Sequence, residues 1–85
     1  MKPRPLLARL RTGDLANVRF SDFKRLIESA GFVLVRVKGR HHLYRHPRAA
    51  VLLNLQDANG MAKPYQIRQF LRTMEGYALN LRDGR

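Results

Sequence analysis

Three histidines and five cationic side chains crowd into residues 36–48, Arg-Val-Lys-Gly-Arg-His-His-Leu-Tyr-Arg-His-Pro-Arg, with no acid among them. Imidazole both gives and takes protons near neutral pH. Guanidinium and ammonium groups attract phosphate. The acid-free region is wider still, because no Asp or Glu lies between Glu28 and Asp57. Residue types of this kind in one strip imply a surface that holds a polyanion and a histidine placed to cut it.

Metal-free cleavage of RNA needs a base for the 2′-hydroxyl, an acid for the leaving 5′-oxygen and cations for the charge that develops on phosphate. His41 follows a glycine turn at Gly39, which lets backbone come close to a phosphate, and it is flanked by Arg36, Lys38, Arg40 and Arg45. On a strand, neighbouring residues face opposite ways, so His41 shares a face with Leu43 and Arg45, and His42 with Tyr44 and His46. Those last two histidines are four residues apart, roughly 13 Å, too far to share a metal. Few carboxylates exist to complete a zinc site, so no metal and no cofactor are expected. The acids are also too remote in sequence for a convincing Ser–His–Asp set, and no phosphate-loop glycine pattern occurs.

Tyr44 and Tyr65 are the rings able to stack on a base, although packing in or beside the core is the expected role of each. The run Lys63-Pro64-Tyr65-Gln66-Ile67-Arg68 places Lys63, Gln66 and free backbone N–H groups at a helix start, where anions bind. An ordinary helix start with proline at N1 explains the same run.

The chain of 85 residues, with a net charge of +11 and 45% hydrophobic residues, reads as one small domain with a thin core. A domain of this size buries about 60–65% of its unfolded surface. With no cysteine, disulfide scaffolds, cysteine zinc sites and thiol nucleophiles are excluded. No apolar run is long enough to span a membrane, and the basic N-terminus lacks the apolar segment of a secretion signal. The expected compartment is the cytoplasm. The charge centres on a hairpin rather than a basic amphipathic helix, which favours nucleic acid over a membrane surface as partner. An acidic protein that imitates nucleic acid fits as well.

These residues need a frame to position them. Leu6, Leu7 and Leu10 have helical spacing, with Gly13 as a stop, so residues 1–20 form an extension whose short helix lids the core. A clear helix follows, with Ser21 as N-cap, Asp22 in its first turn, an apolar face of Phe20, Phe23, Leu26, Ile27 and Ala30, and Gly31 as the C′ stop. Strands are expected at Phe32–Val37, His41–His46 and Ala49–Gln56, turned at Lys38-Gly39-Arg40 and Pro47-Arg48. In the first, Val33, Val35 and Val37 should share one face and Phe32, Leu34 and Arg36 the other. After an Asp57–Gly60 loop, a last helix begins near Lys63 with Pro64 at N1 and an apolar stripe of Tyr65, Ile67, Phe70, Leu71 and Met74. The domain proper is 21–79, and 80–85 is a frayed tail. The fold class is α+β: an α-β-β-β-α order, as in double-stranded RNA-binding domains, with a three-stranded antiparallel sheet and both helices on one face.

Phe23-Lys24-Arg25-Leu26-Ile27-Glu28-Ser29-Ala30-Gly31-Phe32 and Val37-Lys38-Gly39-Arg40-His41-His42-Leu43-Tyr44-Arg45-His46-Pro47 resemble the HicA toxin family of bacterial type II toxin–antitoxin systems. Asn54-Leu55-Gln56, Gly60 and Ala62 to Gln69 resemble its subgroup with a longer N-terminal segment. The resemblance implies a small ribonuclease of dsRNA-binding-domain-like fold. Such an enzyme cleaves mRNA with a motif histidine and no metal, inhibits translation, and is covered by a HicB antitoxin. By position the catalytic histidine is His41, with His42 as the fallback because the two are adjacent. Arg40 departs from the serine usual in the family's motif and replaces that hydroxyl as a phosphate contact. The RNA-binding set is Arg36, Lys38, Gly39, Arg40, Arg45 and Lys63. The competing reading is a module of the same fold and charge that binds RNA without cutting it.

Overall fold

A computed structural model describes residues 1–82. The order is α1 (Pro3–Arg11), α2 (Phe20–Ser29), β1 (Val33–Lys38), β2 (His41–His46), β3 (Ala49–Gln56) and α3 (Pro64–Gly76). The strands form one antiparallel sheet in the order β1-β2-β3. This is the expected α+β arrangement.

Helix α2 buries Phe20, Phe23, Leu26 and Ile27, which recur at three- and four-residue steps on one side. It starts two residues earlier than the Ser21 cap predicts. Arg19 is the N-cap and makes no side-chain capping bond, because burying Phe20 draws that residue into the first turn. The far end is a Schellman motif: Gly31 N–H donates to Glu28 C=O (3.0 Å) and Phe32 N–H to Ile27 C=O (3.3 Å). Gly31 sits at φ +96°, a conformation that side chains other than glycine's rarely adopt. Phe32, expected as the first strand residue, instead drops into the core, with its ring 5.9 Å from Phe70.

The leucines of α1, Leu6, Leu7 and Leu10, belong to the same core as α2 and α3. The N-terminal extension is thus a built-in layer. At the other end, Leu81 packs against the core and Arg82 N–H donates to Ser29 C=O (2.6 Å). The tail is therefore anchored at its start; residues 83–85 lie outside the described residues.

Strands β2 and β3 alternate as the period of two requires. Tyr44, His46, Leu53 and Leu55 point inward, while His41, Arg45, Leu52 and Asn54 point to solvent. The expected alternation fails in β1. All six of its residues are exposed, and the register with β2 shifts between Leu34 and Arg36. The helices cover β2 and β3, so this outer strand has no layer against either face, and the bulge breaks its period. On α3, Ile67, Phe70 and Met74 are buried and Leu71 packs at the rim, but Tyr65 is 55% exposed. Positions 65 and 67 are about 200° apart on a helix and do not share a stripe.

Tyr44 is fully buried, and its hydroxyl donates to Glu28 Oε2 (3.1 Å). That location rules out the base-stacking role considered for Tyr44. Burial, reinforced by the neighbouring carboxylate, pushes the phenol well above its ordinary value of 10.0. The unfolded chain loses this proton near pH 10 while the folded chain keeps it. The stability it contributes is complete below that pH and falls above it by about 1.4 kcal/mol per unit. Urea titrations between pH 10 and 11 should show a steeper loss for wild type than for Tyr44→Phe. Equal slopes would mean that the buried phenol titrates freely.

Candidate functional site

The β1–β2 turn creates the site. Gly39 takes φ +60° at the first of two turn residues, the position that a II′ hairpin reserves for glycine. The turn pairs Lys38 with His41, and the ladder continues with His41 opposite Gln56 and Leu43 between Arg36 and Asn54. The chain leaving β3 is tied back here too, because Asp57 N–H donates to Arg40 C=O (2.9 Å).

Three strands thus bring Arg36, Lys38, Gly39, Arg40, His41, Leu43, Asn54 and Gln56 around one open cleft of about 580 Å³. Arg36, Lys38, Arg40 and His41 are exposed in it. No carboxylate lines the cleft, and the groups in its lining that are always charged are cationic. Of the expected phosphate contacts, Arg45 and Lys63 lie outside the lining. Arg45 stands further along the same face, between Val33 and Leu52. Lys63 caps α3, with its Nζ 5.9 Å from the centre of the Tyr65 ring.

The three histidines have three different environments. His41 faces the cleft, with Nδ1 3.3 Å from Asn54 Oδ1. Nδ1–H donates to that carbonyl oxygen, and in the neutral ring this leaves the Nε2 lone pair as acceptor. His42 faces the helices. Its ring lies 4.9 Å from Phe20, and its Nδ1 is buried without a partner. His46 is buried and bonded at both nitrogens, donating from Nε2 to Ala30 C=O (2.9 Å) and accepting Arg48 N–H at Nδ1 (3.0 Å). It joins β2 to the end of α2. Among the described residues no three histidine, aspartate or glutamate side chains gather as a metal would require.

Gln66, expected at an anion site, is instead buried and occupied. Its Oε1 accepts Gln56 N–H (2.9 Å), and its Nε2 donates to Asn54 C=O (3.1 Å) and Tyr65 Oη (3.3 Å). The side-chain amide satisfies the outer edge of β3 as a peptide unit would. In doing so it fixes Asn54, and through Asn54 the ring of His41. Composition gives no hint of Asn54 as the partner of His41; it becomes visible only when the register sets Asn54 diagonally across from that histidine.

No helix among the described residues is long and apolar enough to cross a membrane. No curated protein and no solved structure matches the chain. The family profile of the HicA toxin of bacterial toxin–antitoxin systems matches residues 20–75, from the start of α2 almost to the end of α3. That span includes the whole sheet and the cationic cleft, and it covers well over half of the 85 residues. The chain belongs to the HicA toxin family, whose members act as the toxin of a toxin–antitoxin pair.

Proposed function

We propose that this protein is a metal-independent endoribonuclease that cleaves mRNA in the cytoplasm, inhibits translation and is neutralised by a HicB-type antitoxin. The observation that carries the reading is the exposed His41, held through Nδ1 by Asn54 within a cleft lined by Arg36, Lys38 and Arg40.

In this scheme the arginines and Lys38 hold the phosphates on either side of the scissile bond. The free Nε2 of His41 takes the proton of the ribose 2′-hydroxyl, and the 2′-oxygen attacks phosphorus. Charge that accumulates on the phosphoryl oxygens meets Arg40 and Arg36. The P–O5′ bond then breaks, and the imidazolium returns its proton to the departing 5′-oxygen. The products are a 2′,3′-cyclic phosphate and a 5′-hydroxyl. Guanidinium stays charged throughout, so the arginines stabilise and do not shuttle protons. Arg40, in place of the family's serine, contributes a full charge where a hydroxyl would give only a hydrogen bond. His42 is the weaker candidate because it faces the helices.

The purified chain incubated with an mRNA in excess EDTA should yield fragments with cyclic phosphate and 5′-hydroxyl ends. Adding the antitoxin should abolish them. Cleavage that disappears in EDTA would overturn the metal-free mechanism. RNA that binds but stays intact, with and without added divalent ions, would make the chain a binding module.

A further inference from the structure

The two edges of the sheet are finished differently. On β3 the Gln66 amide takes the outward-facing Asn54 C=O and Gln56 N–H. Strand β1 pairs with β2 alone, and no described residue plays the corresponding part on its far side. The ladder identifies what is left open. Because Gln56 and Asn54 direct these groups away from β2, Leu55 and Leu53 are the residues that exchange bonds with His42 and Tyr44. His41 and Leu43 therefore aim their backbone groups at Lys38 and Arg36. Val37, between those two, presents its N–H and C=O to the open edge.

The side chains along the same strand are apolar and uncovered: Val33, Leu34, Val35 and Val37 are each 40–50% exposed. An edge of this kind is a template for another strand unless it is blunted. The bulge and Lys38 blunt it only in part. A second copy of the chain is an unsuitable occupant, since each carries +11 and Arg36 and Lys38 would meet their like. A strand of opposite character fits: apolar side chains for the valines, acidic ones for Arg36 and Lys38.

We propose that the open edge of β1 is a docking site for an extended acidic segment of the antitoxin, which adds a fourth strand to the sheet. The identity of the occupant rests on the toxin–antitoxin reading above, whereas the edge and its chemistry rest on the fold. Backbone bonds along Val37 would supply affinity in register, and alternate side chains would supply selectivity. A strand added there lies beside the mouth of the cleft, so its acids reach the cations that RNA needs.

Two probes separate the claims. Amide hydrogen exchange of the full chain is followed alone, with the product of the gene adjoining its own, and with a capped octapeptide of alternating Glu and Val. Both partners should protect the Val37 amide. A second arm uses Val35→Lys/Val37→Lys, which raises the net charge from +11 to +13. Pure charge attraction would then tighten the complex, whereas loss of a docked strand should weaken it about tenfold or more. RNA cleavage by this variant should persist. A complex with the neighbouring product that leaves Val37 exchanging as in the free protein overturns the proposal, as does tighter binding by the double variant. If the peptide protects Val37 and the neighbouring product does not bind, the docking edge stands and the assignment of its occupant fails. If neither protects it, the edge is not a docking site.

Discussion

His41→Ala should lower the rate of RNA cleavage about 10²–10⁴-fold, the usual cost of removing a general acid–base. His42→Ala, compared per folded molecule, should keep nearly the wild-type rate. The difference follows from the pleat. His41 projects into the cationic cleft, while the ring of His42 lies against Phe20 on the helix side. His42→Ala is expected to act on stability instead, through the lost ring contact. Asn54→Leu provides the intermediate case, since it removes the oxygen that orients His41 and keeps the imidazole. Its rate should fall less than that of His41→Ala. The readout is initial rate on one mRNA in EDTA, with binding measured separately. Full activity in His41→Ala would remove that residue from the mechanism. A loss confined to His42→Ala would transfer the role to the other face.

Gly31→Ala should cost about 3 kcal/mol of stability, the sum of a backbone held where only glycine is at ease and a disrupted buried hydrogen bond. A β-carbon at position 31 would stand 2.8 Å from His46 Nε2, the atom that donates to Ala30 C=O. The φ of +96° adds its own penalty. These two contributions can be separated. In a His46→Ala background the collision is gone, and Gly31→Ala should then cost only about 1–2 kcal/mol for the backbone. Urea unfolding of the four proteins in the cycle measures the difference. Additive effects would show that a side chain at position 31 does not meet His46.

Local patterns make much of this protein legible in its sequence. Helix α2 announces itself by a stripe of four large apolar residues and a glycine stop, and α3 by Pro64. Both are short-range signals, set by the turn geometry of the helix itself. The alternation along β2 is equally local, and it placed His41 and His42 on opposite faces. The acid-free strip from 29 to 56 required only counting. The structure departs from the local pattern at several places. Phe20 entered α2 in place of the Ser21 cap because a core awaited its ring. Tyr65 lies off the stripe of α3 by helix geometry alone, and β1 both lacks a covering helix and loses its period at a bulge.

Some facts are absent from any local window. Asn54 is 13 residues from His41, and Gln66 is 10 and 12 residues from the two backbone groups that it closes. His46 looked like its neighbours in composition, yet the end of α2 claims both its nitrogens. Short-range stereochemistry and charge determine by themselves which elements form, where the cations gather and that His41 and His42 face opposite ways, while the folded sheet decides which of the two meets the cations. Only the closed sheet, packed against its helices, decided which groups meet across the strands, which histidine is consumed by structure and which edge stays open. Those outcomes depend on register and layer coverage, which depend on the whole chain at once.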